Sequence, residues 1–171
     1  MNTDTNTRVL LAKGKSNRIY TVPHRPDLVQ KVAGSQFHVR TYCIQTQKRI
    51  HRLCAKALLD SPEPIHFIRI PALEDPDTPS YTMERVDTAC PLYSESIALE
   101  PLLIKELILA WKAFWAAGFA AWDYDLYLQS DGTVVLLDFD RFGFRMETDS
   151  LPPPPFFENS CFPPHFREML S

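Results

Sequence analysis

The sequence predicts an α+β fold in two lobes, with an antiparallel sheet and one helix in the N-terminal lobe and a truncated helical C-terminal lobe. Three observations support this: strand-length apolar segments separated by turn residues, two later apolar stripes at helical spacing, and an Asp-Gly turn between two apolar runs. At 171 residues and 45% hydrophobic residues, the chain is long enough to bury a core. These features exclude a disordered chain, a coiled coil and two large independent domains.

The N-terminal lobe is predicted to be a five-stranded sheet. A turn that contains Gly14 separates the first two apolar segments, and the acidic turn Glu74-Asp75-Pro76-Asp77 separates the last two. The predicted strands are residues 8–12, 18–22, 28–33, 65–71 and 80–86.

A helix is predicted over residues 36–59, because Ile50, Leu53, Cys54 and Ala57 recur at helical spacing. The segment has five basic residues and no acidic one. One interpretation is a face that is solvated or paired within the chain with the acidic remainder. The other is a surface for an acidic partner, either nucleic acid or protein.

The C-terminal lobe is predicted to contain an apolar helix from Pro101 to Gly118 and then a hairpin. The hairpin strands are residues 126–129 and 133–139, joined by Ser130-Asp131-Gly132. The sequence thus divides into an N-terminal lobe (1–88), a truncated C-terminal lobe (89–150) and a proline-rich tail (151–171). The tail is interpreted as packing across the domain, with recognition of a protein partner as the alternative.

Composition and charge narrow the function classes. A net charge of −3 disfavours a nucleic-acid coat, although a local basic patch remains on the predicted helix. The four cysteines are far apart in the sequence, which indicates reduced thiols. The chain begins with polar residues and has no apolar run of membrane-spanning length, so we expect a cytoplasmic protein with no membrane partner.

Four carboxylates flank the predicted hairpin: Asp123 and Asp125 before it, Asp138 and Asp140 at its far end. Because a hairpin brings its ends together, we expect these carboxylates to face one another. Clustered carboxylate oxygens suit Mg²⁺, a hard cation that works with phosphate. The alternative is that they cap turns or pair with nearby arginines.

The order of these features resembles the protein-kinase-like superfamily over roughly residues 8–144, closest to its small branches that phosphorylate sugars and other small molecules. The turn at Gly14 resembles a reduced glycine-rich loop, and Lys31, in Val29-Gln30-Lys31-Val32-Ala33, resembles the strand lysine that holds the α- and β-phosphates of ATP. The resemblance implies that ATP and Mg²⁺ are the cofactors.

The same resemblance assigns further residues. The backbone from Glu84 to Val86 would meet the adenine ring. Asp123 stands where the family has the base for the substrate hydroxyl, and Asp138, in Asp138-Phe139-Asp140, resembles the Asp-Phe-Gly aspartate that binds Mg²⁺. Asp125 is a candidate second metal ligand.

Several departures from the family pattern leave two functions open. Leu128 stands where the pattern has a metal-binding asparagine, and the helix over 36–59 has no acid to pair with Lys31. Gln45 or Gln47 could hydrogen-bond Lys31 without fixing it by charge. The first function is a phosphotransferase acting on a hydroxyl substrate. The second is a catalytically inactive pseudokinase that binds a nucleotide or a partner. A metal-dependent phosphoesterase or glycosyl-transfer site is a third interpretation, outside the kinase resemblance.

Overall fold

The structure is a computed structural model, and it describes residues 7–14, 17–33, 44–92, 100–121, 125–138 and 142–144. The fold is α+β, as predicted, with an antiparallel sheet and, in these ranges, two helices. The helices are α1 (Ile44–Leu59) and α2 (Pro101–Ala116). The strands are β1 (Leu10–Lys13), β2 (Asn17–Val22), β3 (Arg25–Ala33), β4 (Ile68–Arg69), β5 (Tyr81–Glu84), β6 (Phe119–Ala121), β7 (Asp125–Leu128), β8 (Val134–Leu137) and β9 (Phe142–Phe144).

The chain divides into two compact units, which are described separately. The first unit comprises residues 1–52 and 71–86, and the second comprises residues 53–70 and 87–171. Helix α1 contributes its first half to one unit and its second half to the other.

The first unit contains an antiparallel sheet with the order β1-β2-β3-β5. The three predicted N-terminal strands and the strand predicted over 80–86 are therefore confirmed. A short segment runs along the far side of β5: Leu73 bridges to Met83, and the Glu84 amide donates to the Ala72 carbonyl at 2.8 Å. The β5 side of the sheet is thus covered by the chain itself.

The prediction that residues 65–71 complete a fifth strand of this sheet is wrong. Only Ile68–Arg69 is extended, and it pairs in parallel with β8 in the second unit. The Phe67 carbonyl accepts the Val134 amide at 2.6 Å, and the buried Glu106 carboxylate accepts the amides of His66 and Phe67. These long-range hydrogen bonds hold β4 beside β8, and a local apolar pattern cannot show them.

Helix α1 is confirmed from Ile44 onward, and residues 36–43 of the prediction lie outside the described residues. Its buried positions recur every three or four residues, as an amphipathic helix requires. Three of them are polar. The buried positions are Gln47, Lys48, Ile50, His51, Cys54 and Ala57.

The second unit confirms the apolar helix and the hairpin. Pro101 lies in the first turn of α2, and the chain leaves the helix through Gly118 at φ 89°, a left-handed conformation that favours glycine. The helix buries a stripe of side chains, among them Leu107 and Phe114. Strands β7 and β8 pair antiparallel, and Gly132, at φ 82°, turns the chain between them. No helix in the described ranges is both long and apolar enough to cross a membrane.

Candidate functional site

Lys31 lies on the central strand β3 and is buried, with 7% of its surface exposed. It is opposite Ile19 on one neighbouring strand and opposite Tyr81 on the other. Its Nζ lies 5.8 Å from the centre of the Tyr81 ring, within the range of a cation–π contact. Because lysine is almost never fully buried unless it is paired, this position marks a specialised polar environment.

His51 of α1 forms the second part of this environment and is 1% exposed. Its Nε2 lies 2.7 Å from the Pro71 carbonyl oxygen, which only accepts, so Nε2 carries the proton. Its Nδ1 lies 2.9 Å from the Tyr81 hydroxyl oxygen, and in the neutral imidazole it accepts a hydrogen bond from that hydroxyl. In the neutral form, these two contacts fix a single tautomer.

Electrostatics agree with a neutral His51. The pKa of His51 is lowered from 6.5 to about 4, chiefly because burial disfavours the charged imidazolium and to a smaller degree because Lys31 and Lys48 are positively charged. The hydrogen bond to the Pro71 carbonyl acts in the opposite direction. The electrostatic effect of Lys31 on His51 places this imidazole close enough to the lysine for their charges to interact.

Gln47 and Asn17 extend the polar cluster. Asn17 Nδ2 donates to Gln47 Oε1 at 3.3 Å, which links the start of β2 to the helix. Both side chains are buried. Gln45, the other glutamine considered for Lys31, instead donates to the Pro79 carbonyl and is exposed. Together Asn17, Lys31, Gln47, His51 and Tyr81 form what we call the Lys31 cluster.

The basic side chains of α1 are partly used within the chain. Lys48 is buried and donates to the carbonyl oxygens of Asp75 and Thr78 in the acidic turn, and Arg52 pairs with the exposed Asp77 at 3.4 Å. Lys56 pairs with Asp60 one turn along the helix. These contacts favour the intramolecular interpretation of the basic helix over a surface reserved for a partner. A shallow cavity of about 330 Å³ lies between this part of α1 and residues 76–79, and Lys31 does not line it.

The other predicted nucleotide-binding positions fall in the same unit. The Gly14 amide donates to the Asn17 carbonyl at 2.9 Å, and a Cβ at Gly14 would make only an ordinary contact with that oxygen. The Glu84 and Arg85 amides donate to the carbonyls of Ala72 and Asp27. An adenine ring at this strand end would therefore have to use the Glu84 or Arg85 carbonyl or the backbone of Val86.

Asp125 and Asp138, the predicted metal ligands, lie in the second unit at the open end of the hairpin. Asp125 pairs across the strands with Leu137, the residue before Asp138. The Tyr127 hydroxyl lies 3.5 Å from the Asp125 carboxylate. Asp138 has φ 65°, a left-handed conformation that is uncommon for a residue with a side chain and that clusters at functional sites.

The predicted base, Asp123, and the fourth carboxylate, Asp140, lie outside the described residues. Within the described ranges, no three His, Cys, Asp or Glu side chains are grouped to hold a metal ion. The described carboxylates fit Mg²⁺ by their chemistry, since both offer oxygen ligands at one hairpin end.

Sequence reasoning found Lys31 and considered Gln47, but it missed His51, Tyr81 and the burial of Lys48. The sequence does contain a pattern that indicates His51. Gln47 and His51 lie four residues apart, in line with Cys54 on the face of α1 that was recognised as apolar. Polar residues inside an apolar stripe indicate a buried polar cluster, although only the structure identifies their partners.

Neither a protein-family model nor a curated protein matches this chain.

Proposed function

We propose that this chain is a small kinase-like phosphotransferase domain that binds ATP with Mg²⁺ and transfers phosphate to a hydroxyl substrate. Lys31 would hold the α- and β-phosphates, Asp138 with Asp125 would hold the metal, and Asp123 would accept the proton of the substrate hydroxyl.

The observation that carries the proposal is the burial of Lys31 in the β2-β3-β5 part of the sheet. An anionic ligand such as a triphosphate would be stabilised by a cation in this weakly solvated position. The strand beside it, β5, leads directly to Glu84 and Val86, where the resemblance places the adenine. The left-handed backbone conformation of Asp138, at the end of the hairpin in the second unit, also supports the proposed metal site.

In the proposed phosphate transfer, Mg²⁺, Lys31 and Asp123 would each have a separate role. Bound Mg²⁺ would neutralise phosphate charge. Lys31 would orient the phosphates, and Asp123 would hold the substrate hydroxyl and take its proton as the new bond forms, a role typically worth a factor of about 10² to 10⁴ in rate.

Nucleotide binding is the first test. ATP at a hundred times its dissociation constant stabilises a folded protein by about 2.7 kcal/mol, which raises the melting temperature of a chain of this size by about 5 to 10 °C. Lys31→Met and Asp138→Asn should abolish this shift in the presence of Mg²⁺. The matched controls are Lys105→Met and Asp77→Asn, because both residues are exposed partners in surface ion pairs. If ATP does not stabilise the wild-type protein, the proposal is wrong.

The second candidate function, a pseudokinase that binds nucleotide without transferring phosphate, is favoured by a specific observation. Helix α1, whose His51 interacts electrostatically with Lys31, contains no acidic residue, whereas an active kinase pairs this lysine with a helix glutamate. Without that charge, the lysine is positioned less strictly for transfer.

Kinetics separate the two functions. Wild type and Asp123→Asn are compared for ATP hydrolysis or transfer, beside a binding titration of each. Loss of turnover with retained binding identifies an enzyme that uses Asp123 as base. Background turnover in both proteins, with ATP still bound, identifies the pseudokinase.

A further inference from the structure

The first strand of the sheet exposes apolar side chains. Strand β1 lies at the edge of the order β1-β2-β3-β5 and is exposed along its whole length. Val9, Leu10 and Leu11 are 55%, 47% and 41% exposed. Because successive residues of a strand project to opposite faces, apolar side chains are exposed on both faces of this edge. An exposed apolar edge strand is a template for pairing with another strand.

The backbone of β1 is oriented for such pairing. The Val9 carbonyl accepts the Thr21 amide at 2.8 Å, and the Gly14 amide donates to Asn17, so these groups point toward β2. Alternate residues of an antiparallel strand direct their backbone groups to opposite sides. The N–H and C=O groups of Leu10 and Lys13 therefore point to the outer edge. Leu11 is the extra residue of a bulge between them.

The opposite edge of the sheet differs. There, residues 72–74 already hydrogen-bond along β5 through Ala72 and Glu74. The contrast restricts strand addition to the β1 side.

Charge indicates the kind of partner. Basic residues Arg8 and Lys13 flank the apolar segment, and both are exposed. Two copies of this edge would bring four cations together, which disfavours self-pairing. We propose that the outer edge of β1 binds an extended segment of a partner protein, apolar in its middle and acidic at both ends, as an added strand.

A synthetic peptide tests the proposal directly. The probe alternates valine and threonine between pairs of glutamates and carries a fluorophore, and binding to the full chain is followed by anisotropy. We expect saturable binding. N-methylation of two alternate backbone amides, which removes their donors, should weaken binding about 25-fold, since each lost hydrogen bond costs roughly a factor of five.

Variants of the protein locate the site. Leu10→Lys should weaken binding about tenfold or more, because it places a charge in the apolar stretch of the edge. Leu102→Lys is the matched control, since Leu102 is 53% exposed on α2 and outside the sheet. A double variant, Arg8→Glu with Lys13→Glu, should reverse the preference toward a peptide flanked by lysines. Thermal melting of each variant checks that it is folded.

Three results would overturn the proposal: no saturable binding by wild type, equal affinity for the N-methylated peptide, or equal weakening by Leu10→Lys and Leu102→Lys. Self-association of the wild type that Leu10→Lys abolishes would also overturn it, because the edge would then belong to a second copy.

Discussion

Between neutrality and pH 4, acid should destabilise this protein through His51. The side chain is buried and neutral, with Nε2 donating to the Pro71 carbonyl and Nδ1 accepting from Tyr81. Protonation would remove the acceptor at Nδ1 and add a buried charge near Lys31 and Lys48. The unfolded chain binds that proton more readily, because there the imidazole is solvated.

The magnitude follows from the two pKa values. The pKa of His51 is about 4 in the folded protein against 6.5 for a solvated histidine, and this difference corresponds to about 3 kcal/mol of unfolding free energy. Because the folded pKa is the lower one, the full stability is present above pH 6.5, decreases as the pH falls and levels off below about pH 4. For a chain of this size the loss corresponds to a decrease in melting temperature of about 10 °C.

The assay is thermal or urea unfolding at closely spaced pH values between neutrality and pH 4. His51→Gln, which cannot titrate, should be less stable at pH 7 but should lose much less stability on acidification. His66→Gln is the control, since His66 is exposed. If wild type and His51→Gln show parallel pH profiles through this window, the argument for a buried neutral His51 is refuted. The carboxyl groups of Asp27 and Asp131 have lowered pKa values, so their protonation affects stability only at lower pH.

Four further substitutions test the structure by urea unfolding. Gly132→Ala should cost about 1 to 2 kcal/mol, since Gly132 has φ 82° with open space around it, whereas Gly14→Ala should cost much less. Glu106→Leu should cost about 2 to 4 kcal/mol, because it leaves two amides beside β4 without their buried acceptor, and a near-neutral result would contradict that role. Arg52→Ala should change stability by less than about 1 kcal/mol, because its pairing with Asp77 is exposed.

The parts of the fold that the sequence predicted are those set by local chemistry. The Asp131-Gly132 turn predicted the hairpin because few residues adopt positive φ, and the Asp131 carboxylate also accepts from the Thr133 amide and hydroxyl. Pro101 and Gly118 marked the ends of α2 for similar reasons.

Long-range contacts set what could not be predicted. Strand β4 joins β8 because Glu106, nearly forty residues away in sequence, binds the amides that precede it. The basic residues of α1 looked alike in sequence, yet Lys48 is buried on carbonyl oxygens while Arg52 is exposed. The strand that carries Lys31 was predictable from the local apolar pattern, whereas the lowered pKa of His51 depends on its burial, which local sequence does not show.

The Lys31 cluster links stability to the proposed function. An anion held by Lys31 would offset the positive charge that disfavours protonation of His51, so the bound ligand would raise the pKa of this imidazole. By linkage, a ligand that raises this pKa must bind more tightly as His51 becomes protonated. Bound nucleotide should therefore protect the protein more strongly at pH 5 than at pH 8, and His51→Gln should remove that difference while leaving nucleotide binding at pH 8 in place. If the charge of Lys31 stabilised the bound nucleotide without affecting His51, the protection would be the same in wild type and His51→Gln at both pH values. Melting curves with and without ATP at pH 5 and pH 8 distinguish the two cases.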